Sequence, residues 1–86
     1  MTKNIFCNVS KEEVVLFYAN ISKSVREIRE KKGISQLDLA LEIGIKSVAF
    51  YSNCECCRYG KHFNLEHLYK ISKALEVDIC SFFKDS

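Results

Sequence analysis

GISQLDLALEIGIKSVAFYS, residues 33–52, is the stretch that decides the fold predicted for this chain. Gly33 suits the left-handed end of one helix, and Ser35 suits the N-cap of a second helix that ends near Ile43. Gly44 then predicts a break, and a third helix begins at Lys46 or Ser47 and continues to about Cys54. Two short helices joined by a glycine turn have the lengths that a helix-turn-helix requires, so the motif is predicted at about 35–54.

A long helix is predicted before this stretch. Ser10 and Glu13 have the spacing of a capping box, and a helix over most of Lys11 to Lys32 follows from them. Apolar residues recur there at intervals of three and four, namely Val14, Phe17, Tyr18, Ile21, Val25 and Ile28. No glycine or proline marks a break, so one rod and two helices meeting near Asn20 are both compatible with the pattern.

The sequence after the motif predicts a loop, a fourth helix and a short final element. The loop is Cys56 to Phe63, and Asn64 is placed to cap the fourth helix. That helix has a predicted buried stripe of Leu65, Leu68, Ile71, Ala74 and Leu75. Asp78 is placed to cap a final turn carrying Ile79, Phe82 and Phe83, with Cys80 expected in the core. The prediction is a compact all-α domain over residues 10–86 with five helices, or six if the first divides, after an N-terminal arm at 1–9.

Composition limits the choice of class. The chain has 86 residues, 48% of them hydrophobic, with no proline and three glycines, which favours one modest helical core. The longest apolar run, 14–19, is too short to span a membrane, and no export signal is visible. Five cysteines are an odd number and favour a reducing cytoplasm. A net charge of +2 is weak as an indication of nucleic-acid binding, so the distribution of the charges has to decide.

The segment Ile21–Phe83 resembles the Cro/cI-like, XRE-type family of helix-turn-helix proteins. The most specific matching elements are Gly33-Ile34-Ser35-Gln36, Leu39-Ala40, Gly44-Ile45 and the closing run 70–75, KISKAL. The resemblance implies a lambda-repressor-like fold and a transcription regulator of repressor type. It also implies sequence-specific binding of double-stranded DNA, with a recognition helix at about 46–54 in the major groove.

The same resemblance assigns roles to individual positions. Gln36 would bind a phosphate and support the recognition helix, while Lys46, Ser47 and Val48 would reach base edges. Tyr51 and Ser52 would lie one turn later on the outer face. Phosphate contacts would come from Arg29, Arg58 and Lys61. The sequence departs from the family pattern after Ser52, where residues 53–57, NCECC, precede a longer loop.

The resemblance to the Cro/cI-like family also implies the partners of this protein. A homodimer on an inverted-repeat operator is implied, because pairing two motifs doubles the number of base pairs contacted. The apolar residues Ile5, Phe6, Val9, Val15 and Leu16 exceed what one helical stripe needs, so the arm and the first helix are the candidate interface. No cofactor is predicted. There is no nucleophile turn and no glycine-rich phosphate loop, so an enzyme is not predicted either.

Two alternatives remain open from the sequence. In one, the helix-turn-helix fold serves mainly for protein contact, as in an antitoxin or the partner of a regulator. In the other, the chain is a sensing regulator. Cys54, Cys57, His62 and His67 have a spacing similar to that of a zinc knuckle, and Cys54, Cys56 and Cys57 could form a redox switch beside the recognition helix. Against zinc, Cys54 and His67 fall inside predicted helices, so no metal site is assigned.

Overall fold

A computed structural model describes residues 8–84, and the regular structure in that range is entirely helical. Within residues 8–84 there are four α-helices, α1 (Lys11–Lys31), α2 (Gln36–Glu42), α3 (Val48–Cys56) and α4 (Leu65–Leu75). A single turn at Arg58–Gly60 lies in the α3–α4 loop, and a 3₁₀ helix, Ile79–Phe83, closes the chain. The all-α prediction is confirmed. The predicted fifth helix is this 3₁₀ helix, and most of the predicted arm, including Ile5 and Phe6, lies outside the described residues.

The helix α1 is continuous, so the alternative of two helices meeting near Asn20 is wrong. The predicted capping box at its start is present. The Ser10 hydroxyl accepts a hydrogen bond from the Glu13 N–H at 3.1 Å, and the Glu13 carboxylate accepts one from the Ser10 N–H at 3.3 Å. Within residues 8–84, no helix combines the length and the apolar character needed to cross a bilayer.

Glycines terminate α1 and α2 as predicted. Gly33 and Gly44 have φ angles of +72° and +84°, a conformation that costs glycine little because it has no Cβ. In the turn after α1, the Ile34 N–H donates to the Arg29 carbonyl at 3.1 Å, and the equivalent bond after α2 joins Ile45 to Ala40 at 2.8 Å. Each bond satisfies a backbone carbonyl at the C-terminal end of its helix, α1 or α2. The two bonds also fix the directions in which the chain continues into α2 and α3.

The core lies where α1 packs against α3, α4 and the 3₁₀ helix, while α2 packs against α3 and α4. Its members are mostly aliphatic and aromatic: Ile21, Val25, Leu39, Ala40, Ile43, Tyr51, Cys54, Phe63, Leu68, Ile71, Leu75 and Phe82. Two residues predicted to be buried are exposed. Leu65 stands in the first turn of α4, one turn before the core contacts begin at Leu68. Cys80 lies on the outer side of the 3₁₀ helix, because three residues per turn place Ile79 and Phe82 on the inner side instead.

Candidate nucleic-acid interface

The leading end of α3 faces solvent. The N-cap of the helix is Ser47, whose hydroxyl accepts a hydrogen bond from the Phe50 N–H at 3.1 Å. Lys46, Ser47, Val48 and Ala49 are all exposed. The three side chains predicted to reach base edges, Lys46, Ser47 and Val48, therefore share one accessible end of the helix.

Three residues farther along α3, Tyr51, Cys54 and Glu55, are buried. Tyr51 has no exposed surface, and its ring packs on Phe63 with the ring centroids 5.3 Å apart. The prediction that Tyr51 lies on an outer, DNA-facing side is wrong, because Tyr51, Cys54 and Glu55 have the spacing that places three residues on one helical face. Ser52 is half-buried, and its hydroxyl oxygen accepts a hydrogen bond from the Arg58 Nη2 at 3.4 Å.

A buried carboxylate, that of Glu55, joins three helices. Arg29 of α1 donates to it from Nε at 2.9 Å and from Nη2 at 3.0 Å. Gln36 of α2 donates from Nε2 at 2.8 Å, and the Tyr51 hydroxyl of α3 donates at 2.7 Å. The Arg29 Nη1 also donates to the Ile34 carbonyl at 2.7 Å. These four side chains form what we call the Glu55 network.

The charges within the Glu55 network are balanced. Burial by itself would raise the pKa of Glu55, but hydrogen bonds from Arg29, Tyr51 and Gln36 outweigh it and hold that pKa below its ordinary value. The hydrogen bond to Glu55 raises the pKa of Arg29. Burial, with the adjacent carboxylate, raises the pKa of Tyr51 well above its usual range. At neutral pH the network is therefore an ion pair with a neutral phenol, and each Glu55 oxygen accepts two hydrogen bonds.

The Glu55 network corrects one predicted phosphate contact. Arg29 is buried and its guanidinium is occupied by Glu55 and Ile34, so it is not available to DNA. Gln36 stands at the start of α2, half-buried, and links α2 to α3 through Glu55. Glu55 was missed as a site residue. The Tyr51–Glu55 spacing on α3 was a usable local signal, but the partner Arg29 lies 26 residues away.

Basic side chains surround the far end of α3. Arg58 and Lys61 of the α3–α4 loop are exposed, as their predicted phosphate role requires. A shallow depression beside Cys56 and Cys57 is lined on its α1 side by Lys23 and Arg26. The Glu55 carboxylate at this depression is already neutralised by Arg29. This end of α3 thus carries positive charge contributed by two separate elements.

Hydrogen bonds at Cys54 and Cys57 join the end of α3 to Ser22 of α1. The Ser22 hydroxyl donates to the Cys54 carbonyl at 3.1 Å and accepts from the Cys57 thiol at 3.5 Å. Burial raises the pKa of the Cys54 thiol, which disfavours the reactive thiolate. In the part of the chain that the structure describes, no three His, Cys, Asp or Glu side chains converge on a possible metal position. The proposed zinc ligands Cys54, Cys57, His62 and His67 accordingly do not assemble.

The imidazole of His67 completes a capping box at the start of α4. Its Nδ1 accepts from the Asn64 N–H at 3.1 Å, while Asn64 Oδ1 accepts from the His67 N–H at 2.7 Å. The ring also meets Phe50 of α3 edge to face, with centroids 6.1 Å apart. Burial lowers the pKa of His67, which keeps Nδ1 free to accept.

We expect this capping box to make stability depend on pH. Because the pKa of His67 is lower in the folded state, the unfolded state takes up its proton first as pH falls, and stability declines below about pH 6.5. The Tm should therefore drop between about pH 7 and pH 5 in wild type and drop less in His67→Gln, whose side chain still fits a capping box. Equal slopes in wild type and His67→Gln would contradict this assignment.

Comparison of the chain with known protein families, with curated proteins and with solved structures finds no significant match in any of them.

Proposed function

We propose that the protein binds double-stranded DNA in a sequence-specific manner and regulates transcription, with α3 as the recognition helix. One observation carries the proposal. The first turn of α3, with Lys46, Ser47 and Val48, is exposed, while the second half of the same helix is fixed to α1 and α2 through buried Glu55. An exposed helix end on a rigid support is what insertion into a major groove about 12 Å wide requires.

The side chains at the exposed end suit contact with bases. Ser47 can exchange hydrogen bonds with several base edges, and the Val48 methyl groups suit a thymine methyl. Lys46 adds a positive charge beside them. The resemblance of residues 33–45 to the Cro/cI-like family supports the same orientation and a lambda-repressor-like arrangement of helices. A cytoplasmic location follows from this role.

The basic groups around the far end of α3 suit contact with phosphates. Arg58 and Lys61 in the loop, with Lys23 and Arg26 on α1, would hold the duplex at a fixed register without distinguishing sequences. Gln36, at the exposed start of α2, has one amide hydrogen engaged by Glu55 and a second available for a phosphate. Ser52 would act through Arg58, whose guanidinium it helps to position.

Selection of bound sites from a random duplex pool tests the function. At moderate salt we expect enrichment of a short motif, because base contacts add several kcal/mol to the salt-sensitive binding that phosphate contacts supply. An inverted repeat with half-sites about one helical turn apart would also indicate a pair of motifs. Absence of any enriched motif, with binding that disappears as salt rises, would overturn the proposal of sequence-specific binding.

We also propose that the protein pairs with a second copy through the first turns of α1. Val14, Val15, Leu16 and Phe17 are consecutive and all exposed. Because successive helical residues are 100° apart, four of them cover every side of the helix, and one core can pack against only one side. A depression between this helix, at Val14, Val15 and Tyr18, and the α3–α4 loop, at Lys61 and His62, is open to side chains of a second copy.

A charge at Leu16 tests this pairing. Leu16 is 63% exposed, so Leu16→Glu should fold as wild type, yet we expect dimerisation to weaken by at least about ten-fold, since a carboxylate would be buried without a partner. Sedimentation equilibrium measures the association. Leu41→Glu, at a comparably exposed leucine of α2, is the matched control. Unchanged association of Leu16→Glu, or a wild type that is monomeric at all concentrations, would contradict the assignment.

The exposed apolar turns of α1 also favour a second candidate function. In that case the helix-turn-helix serves protein contact, as an antitoxin or a regulator's partner would use it, and a different protein covers Val15 and Leu16. The two candidates differ in outcome. A monomeric wild type that enriches no DNA site favours the protein-contact function, and a dimer that enriches an inverted repeat favours the regulator.

A further inference from the structure

Tyr59 is the most exposed of the large hydrophobic side chains in the described part of the chain, at 82%. It lies in the α3–α4 loop, between the basic residues Arg58 and Lys61. An isolated exposed tyrosine is common on protein surfaces and by itself indicates nothing. The backbone and the neighbours of Tyr59 distinguish it.

The backbone at Tyr59 is in the left-handed region, with φ +57° and ψ +32°. This conformation is strained for a residue that carries a Cβ atom. Cys57 and Glu76 are also left-handed, with φ +54° and +58°, but the Cys57 thiol is half-buried and hydrogen-bonded to Ser22, and Glu76 is the C-cap that ends α4. At Tyr59 no burial of the ring compensates for the strained backbone. The loop therefore holds an aromatic side chain outward at a cost in stability.

The surroundings of Tyr59 suit a polyanion. Residues 56–65 contain Arg58 and Lys61 and no acidic residue. Arg58 donates to Ser52 on α3, which ties the loop to the recognition helix. Lys23 and Arg26 of α1 lie beside Cys56 and Cys57, and these two cysteines immediately precede Arg58. The loop and the part of α1 beside Cys56 and Cys57 therefore both carry positive charge.

We propose that Tyr59 contacts the DNA backbone at the edge of the groove that α3 occupies. The phenol O–H donates to a phosphate oxygen and the ring packs on an adjacent deoxyribose, while Arg58 and Lys61 neutralise the neighbouring phosphates. This inference rests on the proposed DNA-binding function and adds a contact that fixes register without neutralising charge. The strain at Tyr59 is retained because it aims the ring at the duplex.

Two substitutions separate the contact from folding. Tyr59→Phe removes only the hydroxyl. Tyr59→Gly removes the whole side chain at a position whose φ favours glycine, so its Tm should equal or exceed that of wild type. Tyr69→Phe, at an exposed tyrosine of α4, is the matched control. Affinity for the selected duplex is measured by fluorescence anisotropy over a series of salt concentrations.

We expect Tyr59→Phe to weaken binding by about five-fold and Tyr59→Gly by about ten-fold or more, since a hydrogen bond to a charged group is lost in each. The dependence of log affinity on log salt should keep the wild-type slope in both, because no phosphate charge is left uncompensated. Lys61→Ala should instead reduce that slope by about one. Tyr69→Phe should bind as wild type.

The outcomes distinguish this inference from the proposed function. If wild type binds duplex DNA and Tyr59→Phe and Tyr59→Gly bind equally well, the Tyr59 contact is wrong and the function stands. If wild type binds no duplex at low or moderate salt, the function and the contact both fall. Tyr59→Phe keeps the loop's backbone preferences, so it decides the question even if the glycine variant fails to fold.

Discussion

Replacing Glu55 by alanine should lower the free energy of unfolding by about 3–5 kcal/mol, because removal of one partner from a buried ion pair leaves the other charge uncompensated. The stranded charge is that of Arg29, which is buried and donates to Glu55 through two nitrogens. Gln36 and Tyr51 would each lose a hydrogen bond as well. The total free energy of unfolding of a domain of this size is roughly 5–10 kcal/mol. The substitution would therefore remove a large part of it and bring the variant close to unfolding.

Urea denaturation of Glu55→Ala and two further variants measures this effect. The exposed pair of Glu66 with Lys70, at 2.8 Å, supplies the control, and Glu66→Ala should leave the midpoint almost unchanged because water screens that pair. The double variant Arg29→Met with Glu55→Met should be more stable than Glu55→Ala, since no buried charge remains. A midpoint for Glu55→Ala equal to that of Glu66→Ala would show that the Glu55 network does not form.

Ser47→Asp should abolish most DNA binding while leaving the fold intact. Aspartate caps a helix as well as serine does, and its charge is favourable at a helix N-terminus, so α3 should keep its stability. The same charge would stand against the DNA where the proposal puts base edges and phosphates. We expect affinity to fall by at least about 100-fold, since like charges brought together at an interface cost several kcal/mol.

Ser10→Asp is the matched control for that change. Ser10 caps α1 through the same kind of hydrogen bond, is exposed, and lies outside the proposed DNA interface. The two variants have the same net charge, so a difference in affinity reports position. Anisotropy titration and thermal unfolding of both proteins complete the comparison. Equal affinities for Ser47→Asp and Ser10→Asp would show that α3 is not part of the DNA interface.

Local chemistry made the helix boundaries predictable. Ser10, Ser35, Asn64 and Asp78 all cap the helices that they were expected to cap. Capping depends on atoms within three residues, and glycine termination depends on one backbone conformation, so both can be predicted from a short window.

Long-range pairing was not predictable in the same way. Arg29 looked like a free cation because its partner, Glu55, lies in another helix 26 residues along the chain. Tyr51 was placed on the outer face only by the family resemblance, yet its hydroxyl is satisfied inside by that same carboxylate. Both errors have one cause, since a buried polar side chain is recognisable only when its partner is known.

Amide chemical shifts of the protein, recorded as the selected duplex is added, test most directly whether the leading end of α3 lies against the bases. The account predicts the largest changes at residues 46–50, smaller changes at 58–61, and little change in α4. Changes concentrated in α4 or the 3₁₀ helix, with residues 46–50 undisturbed, would contradict it.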